Sequence, residues 1–431
     1  MRKIAMTKTI GFGVIVIGVA WALASAEGQT TKPAKQPSTS PATQSSTLAA
    51  FVEKPFGFGF RGNGQGRFPD AKPVTEWSQT KNVVWATTMP APSNASPALC
   101  GDRLFVCSDP STVICVNLAD GKILWQKSTL YSELTENPSD PSKDKDLPKT
   151  HNTNGYSSAT PVTDGKHVWA VFGTGVVVCF DKDGNRVWAK KLENPPHEWG
   201  SSISPVLAGD TLLVQYDHMF GLDAATGKEK WKVSTTWRWG TPVVGSFGDD
   251  LVAVTGMGNA IHVKDGSAAG QVIAVDNYDS YNSLLLQDGV LYYVRSNPKA
   301  FRQPAPGGPP EKVWDGEKLA KGRYYATPLL HEGLLYAINE SHTLSVIDAK
   351  TGKKVYDKTL DHLNGTAYSS PTLGGKYVFV SGEGGNTVVL EAGREYKEVA
   401  RNTLEPFRTS PVFADGRMYV RTLKTLYCIG K

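Results

Sequence analysis

Residues 204–231, SPVLAGDTLLVQYDHMFGLDAATGKEKW, decide the architecture. After Ser204-Pro205 come a short apolar run to Ala208, a Gly209-Asp210 break, and a second run from Leu212 to Gln215. A third run spans Met219 to Asp223, a second break spans Ala224 to Gly227, and the stretch closes on Trp231. The breaks carry residues that tolerate positive φ, as hairpin turns require. Each run is too short for a helix and has a strand's length. Four short antiparallel strands within about 40 residues form one blade of a β-propeller.

The same pattern recurs through the chain. Ser/Thr-Pro marks stand at Ser96-Pro97, Thr160-Pro161, Ser204-Pro205, Thr241-Pro242, Thr327-Pro328, Ser370-Pro371 and Ser410-Pro411, with a degenerate eighth at Ser283-Leu284. Successive marks lie 37–44 residues apart except the first pair, which are 64 apart and enclose a polar insertion over residues 131–150. Residues 82–431 are therefore expected to form an all-β, eight-bladed propeller of four-stranded antiparallel blades. No segment sustains helical periodicity, which excludes an α-solenoid. The last repeat stops after three strands, at Leu426 to Gly430, while an orphan strand from Asn82 to Thr87 precedes the first. Its Trp85 matches Trp125, Trp188, Trp231, Trp314 and Tyr356, which end other blades. The N-terminal strand is thus expected to complete the last blade and close the ring, leaving no raw sheet edge there.

Upstream, Arg2, Lys3 and Lys8 precede an apolar run from Ile10 to Leu23 and Ala24-Ser25-Ala26. This is the pattern of a secretory signal peptide over 1–26, which predicts a periplasmic or secreted protein with no membrane span after cleavage. No cysteine follows the cleavage site to accept a lipid anchor. Residues 27–50, rich in Thr, Ser, Pro, Ala and Gln, read as a disordered linker, and 51–81 as a lead-in. Without 1–26 the chain carries 43 basic against 41 acidic residues, a balance with no electrostatic footprint for nucleic acid. Cys115, Cys179 and Cys428 share one repeat position, filled by Gly221 in the third repeat. A site that accepts Cys or Gly is a tightly packed small-residue site, and a two-residue turn would pair Cys100 with Arg103 and not with Cys107.

Loops leading into the innermost strands of a propeller gather at one end of its channel. Tyr156, Trp199, Trp237, Arg238, Trp239, Tyr281, Arg323, Tyr324, Tyr368 and Arg408 occupy those loops and are the expected ligand-binding residues. Aromatic rings and arginines around a concave opening are what recognition surfaces use, and Arg suits an anionic or extended polar ligand. No catalytic or metal-ligating residue is assigned. Asp181-Lys-Asp183-Gly184-Asn185 begins like a Ca²⁺ loop but lacks the distal Glu, so it reads as a turn.

Asp223-Ala-Ala-Thr-Gly227-Lys228-Glu-Lys-Trp231 and Asp348-Ala-Lys-Thr-Gly352-Lys353-Lys-Val-Tyr356 resemble the repeat of PQQ-binding-like β-propellers. That family includes quinoprotein alcohol dehydrogenases and BamB-like propellers of outer-membrane assembly. Phe60-Arg61-Gly62-Asn63-Gly64-Gln65-Gly66 resembles the lead-in of exported members. The resemblance implies either a noncatalytic binding or scaffold protein of the cell envelope or a PQQ-dependent oxidoreductase holding PQQ with calcium. The dehydrogenases' adjacent cysteine pair and haem-attachment motif are absent from the sequence. The expected reading is therefore the binding module, a monomer or one subunit of an assembly, with no cofactor. Its partner would be an envelope protein or peptide, or an anionic or polar ligand.

Overall fold

The computed structural model describes residues 51–53 by their backbone, together with 58–134, 147–273, 281–302 and 308–431. The expected signal peptide and linker over 1–50, and most of the insertion at 131–150, lie outside the described residues. No helix among the described residues is long and apolar enough to cross a membrane.

Eight sheets, each with four consecutively hydrogen-bonded antiparallel strands, follow the eight marks. The third blade runs Val206–Ala208, Thr211–Gln215, His218–Asp223 and Glu229–Ser234, from the innermost strand outward. The eighth runs Val412–Ala414, Arg417–Arg421 and Thr425–Ile429, and its outermost strand is Val83–Thr88. Trp85 stands opposite Cys428 and Thr88 opposite Thr425, so the chain's early strand closes the ring as expected. Inner strands are buried and outer strands half exposed: Thr211–Gln215 is buried throughout, whereas Ile123–Ser128 is mostly exposed.

The repeat signature has a packing cause. Each outer-strand tryptophan lies across the turn of the next blade and donates its indole N–H to a carbonyl there. Trp85 reaches Leu118 O at 3.2 Å, Trp125 reaches Lys182 O at 2.9 Å, and Trp188 reaches Ala224 O at 2.9 Å. Trp231 reaches Val263 O at 2.8 Å, and Trp314 reaches Ala349 O at 2.9 Å. The ring then sits on the turn glycine. At Gly227, whose φ is +70°, a Cβ would stand 2.6 Å from Cδ2 of Trp188. That is why Thr-Gly-Lys recurs: glycine both adopts the left-handed turn and admits the neighbour's indole. In the same turn Asp223 accepts hydrogen bonds from the amide and hydroxyl of Thr226, and Asp348 does the same for Thr351.

The small-residue position lies on the inner side of the same indole. Cys115 stands opposite Trp125, Cys179 opposite Trp188, and Gly221 opposite Trp231. All five cysteines are free thiols, and Cys100 pairs with Arg103 across its turn.

The lead-in is not a separate approach to the ring. Phe51–Glu53 adds antiparallel to the innermost strand of the fourth blade, Val243–Phe247. Phe58 bridges Thr163 of the second blade, and Arg67–Phe68 adds parallel to Thr372–Gly374 of the seventh. These contacts lie toward the end of each inner strand that is remote from the Ser/Thr marks. The described part of the lead-in thus covers the channel on that side, with a cavity of about 80 Å³ beside it.

Candidate functional site

The opposite end of the channel is an open cavity of about 500 Å³, within the range of about 300–1,000 Å³ usual for ligand sites. Its floor comes from the marks themselves. Ser96, Thr160, Ser204, Thr241, Ser283, Thr327, Ser370 and Ser410 all line it, with Phe60 of the plug among them.

These hydroxyls also staple the blades together. The amides of seven of the eight marks donate to the hydroxyl of the next: Ser96 to Thr160 at 3.2 Å, Thr160 to Ser204 at 3.0 Å, and Ser204 to Thr241 at 3.1 Å. The series continues from Ser283 to Thr327 at 3.1 Å, Thr327 to Ser370 at 3.1 Å and Ser370 to Ser410 at 3.0 Å. Ser410 to Ser96, at 2.8 Å, carries it from the last blade back to the first. A hydroxyl that accepts an amide keeps its own proton to donate. The floor is therefore a set of O–H donors held in place by backbone.

The walls follow the period of two of an extended chain. The residue two before each mark lines the cavity: Asn94, Ser158, Ser202, Trp239, Tyr281, Tyr325, Tyr368 and Arg408. The residue one before each mark, from Ala95 through Asn282 to Thr409, is buried. The rim is accordingly asymmetric, with short polar side chains on one arc and rings ending in an arginine on the other. On the ring side Tyr281 packs on Tyr325 at 5.0 Å, Tyr325 on Tyr368 at 5.1 Å, and the Arg408 guanidinium lies 5.9 Å from the Tyr368 ring. His197 stacks on Trp237 at 6.0 Å, and Trp237 meets Trp239 edge-on at 4.6 Å.

Eight of the ten expected residues, Trp199, Trp237, Arg238, Trp239, Tyr281, Arg323, Tyr368 and Arg408, line this mouth together. Tyr156 and Tyr324 do not. Tyr324, three before its mark, is 2 % exposed and donates to Ala320 O, while Tyr156, four before its mark, donates to Pro148 O. Tyr325 and His197, which lie in the same entry loops, also line the mouth, as do Phe60 and the hydroxyl ring. The offset of two from each Ser/Thr mark is the sequence signal that separates Tyr325 from Tyr324.

Among the described residues no Asp or Glu lines the mouth. Arg408 is held from behind by Glu383 at 2.8 Å and donates to Thr153 O at 3.1 Å. Arg323 is exposed and donates to the Tyr325 hydroxyl at 3.1 Å, a bond that raises its pKa further. Beneath the floor Arg61 is 2 % exposed and gives one N–H to Pro371 O at 3.1 Å, while its Nε and Nη1 have no partner. Burial, with Arg67 adding repulsion, pushes its guanidinium down to about 9. The Asp181–Asn185 segment is a turn, closed by the amides of Asp183 and Asn185 on the Asp181 carboxylate.

A family model described as outer membrane protein assembly factor BamB matches residues 73–304, more than half of the chain. The chain belongs to that family. As a member of the BamB family it is similar in structure to BamB from Moraxella catarrhalis, with a TM-score of 0.59 at 14% identity over 81% of this chain and 97% of that one. It is also similar to a europium-containing methanol dehydrogenase, with a TM-score of 0.61 at 10% identity over 88% and 98% of the two chains. A third similar structure is the quinohemoprotein alcohol dehydrogenase from Comamonas testosteroni, with a TM-score of 0.58 at 10% identity over 84% and 78%. At these identities the likeness is one of fold. No curated protein matches the sequence.

The dehydrogenases raise the question of a quinone with a hard cation, which needs carboxylate or carbonyl oxygens converging on one point. Among the described residues no carboxylate lines the mouth, and no three His, Cys, Asp or Glu side chains converge. The described donors of this mouth, hydroxyls, amides, rings and guanidiniums, do not supply such a set.

Proposed function

We propose that this BamB-family member is an exported, noncatalytic propeller of the bacterial cell envelope that binds or scaffolds through its channel mouth. The observation that carries the reading is the composition of the mouth: rings, arginines and hydroxyl donors around a cavity of about 500 Å³ with no acid among its described lining residues. Such a surface offers stacking faces and hydrogen-bond donors, the groups that recognition uses. Export rests on the charged start, the short apolar run and Ala24-Ser25-Ala26. An anionic or extended polar ligand, free or carried on an envelope protein or peptide, is the class that three mouth arginines suit.

Mass spectrometry of protein purified from its native host is the experiment of choice. The reading expects a copurifying envelope component, released by Arg323→Ala, and no alcohol oxidation after addition of PQQ and Ca²⁺. Dye-linked turnover of an alcohol by the reconstituted protein would overturn it.

A further inference from the structure

We infer that the ligand of the mouth is a saccharide recognised without charge, its C–H face laid against the aromatic rim and its oxygens on the hydroxyl floor. The inference rests on the mouth being the recognition site, and it selects one class among extended polar ligands.

The first observation is a set of rings fixed by contacts of their own. Trp199 is 39 % exposed and lines the cavity. The His151 ring lies 3.8 Å from it and within 15° of parallel, so it covers one face of the indole. The Trp199 backbone is tied down as well: its carbonyl accepts from Asn154 Nδ2 at 2.7 Å, and its amide donates to His197 Nδ1 at 3.2 Å. Further round the rim, Tyr325 packs between Tyr281 and Tyr368 at 5.0 and 5.1 Å, and all three rings are half-buried. Rings already immobilised lose little conformational freedom when a ligand covers them, which lowers the cost of binding.

The second observation is the floor. Seven of the mark hydroxyls accept the amide N–H of a neighbouring mark. Each keeps a proton to donate and a lone pair with which to accept. A sugar answers both observations. Its C–H bonds form an apolar face that packs on aromatic rings, and its circumference carries oxygens that accept and O–H groups that donate. Neither observation involves an ionised group, so neutral sugars are the direct probe.

The same geometry argues against a peptide. Strand addition needs unpaired main-chain donors, and seven of the mark amides are given to the neighbouring blade's hydroxyl. A proline-rich segment also stacks in aromatic grooves, but its acceptors are backbone carbonyls set along one extended helix. The donors here close into a ring, with the last mark joined to the first. That arrangement matches acceptors spread round a sugar ring.

Titration calorimetry and tryptophan fluorescence on the mature protein test this with uncharged probes: β-1,4-linked tetrasaccharides of glucose, galactose and N-acetylglucosamine, and hexaproline. At least one tetrasaccharide should bind at millimolar concentration or below, and hexaproline should not. Trp199→Ala and Tyr325→Ala should each weaken that tetrasaccharide by about tenfold, the loss of one stacked ring. Tyr325→Phe, which keeps the ring, should stay within about threefold of the parent. Hexaproline preferred over every tetrasaccharide, with the same sensitivity to Tyr325→Ala, overturns the saccharide class and leaves the mouth as the recognition site. Failure of all three tetrasaccharides to bind at millimolar concentration also overturns the class. Saccharide binding indifferent to both Trp199→Ala and Tyr325→Ala overturns the mouth itself.

Discussion

Thr327→Val removes one staple of the hydroxyl ring while nearly preserving shape. The Thr327 hydroxyl accepts the Ser283 amide at 3.1 Å, and the two residues are 3 % and 4 % exposed. Valine keeps the branched outline and the Thr327 amide still donates to Ser370, 3.1 Å away, so packing changes little. What is lost is the acceptor for a buried N–H, which costs about 1–3 kcal/mol. Urea unfolding monitored by tryptophan fluorescence measures it from the shift in midpoint at constant slope. Thr327→Ser should recover most of the loss, because it restores the hydroxyl. Thr236→Val, at an exposed loop position, should stay within about 0.5 kcal/mol of the parent. Equal stability of Thr327→Val and the parent, or equal loss in Thr327→Ser and Thr327→Val, would refute the claim that the marks recur because they act as interblade acceptors.

Trp231→Ala should cost about 3–5 kcal/mol in the same assay, because Trp231 is 7 % exposed, donates to Val263 O and packs on Gly266 of the next blade. Removal of residues up to Phe68 should leave a folded monomer by light scattering but abolish mouth binding, since Phe60 of the floor goes with the plug; removal through Thr88 should prevent a cooperative fold, since it takes away the closing strand. A thiol reagent at pH 8 should modify Cys100 alone in the native protein: burial pushes Cys107 and Cys179 up to about 12 and Cys115 and Cys428 to about 11, whereas Cys100 is partly exposed. More than one rapidly labelled thiol would contradict that burial. Asp109, whose carboxyl is raised above its ordinary 3.8 chiefly by burial, binds its proton more tightly folded than unfolded. Its contribution to stability therefore falls as pH rises from about 3.8 through the raised value. Asp109→Asn should remove that part of the pH dependence, read from thermal unfolding at pH 3 to 7.

The propeller was legible because each blade repeats the same physical solution. The Ser/Thr marks are interblade acceptors, the turn glycine admits the neighbouring indole, and the Cys-or-Gly position backs that indole, so each leaves a residue type at a fixed offset. Closure was legible from the mismatch between a three-stranded last repeat and the orphan strand around Trp85. The plug was not. Phe51–Glu53 and Arg67–Phe68 are strands of three and two residues, too short to show alternation, and the positive-φ glycines between them, Gly62, Gly64 and Gly66, read as loop. The mouth was legible as a set of loops but not residue by residue. Its lining depends on the parity of each position relative to the mark, which sends Tyr325 to the cavity and Tyr324 to the core. The hydroxyl floor was not legible, because the same Ser and Thr residues mark the repeat, and nothing in a repeat marker says that its side chain faces a cavity.

Photo-crosslinking in the native host tests the central claim, that the mouth is the recognition face. A benzophenone side chain placed at Tyr325, on the rim, should capture an envelope component on irradiation, and Arg323→Ala in the same chain should abolish the adduct. The same group at Glu332, on an exposed turn at the plugged end, should capture none. Adducts at Glu332 equal to those at Tyr325, or an adduct at Tyr325 indifferent to Arg323→Ala, would contradict the account.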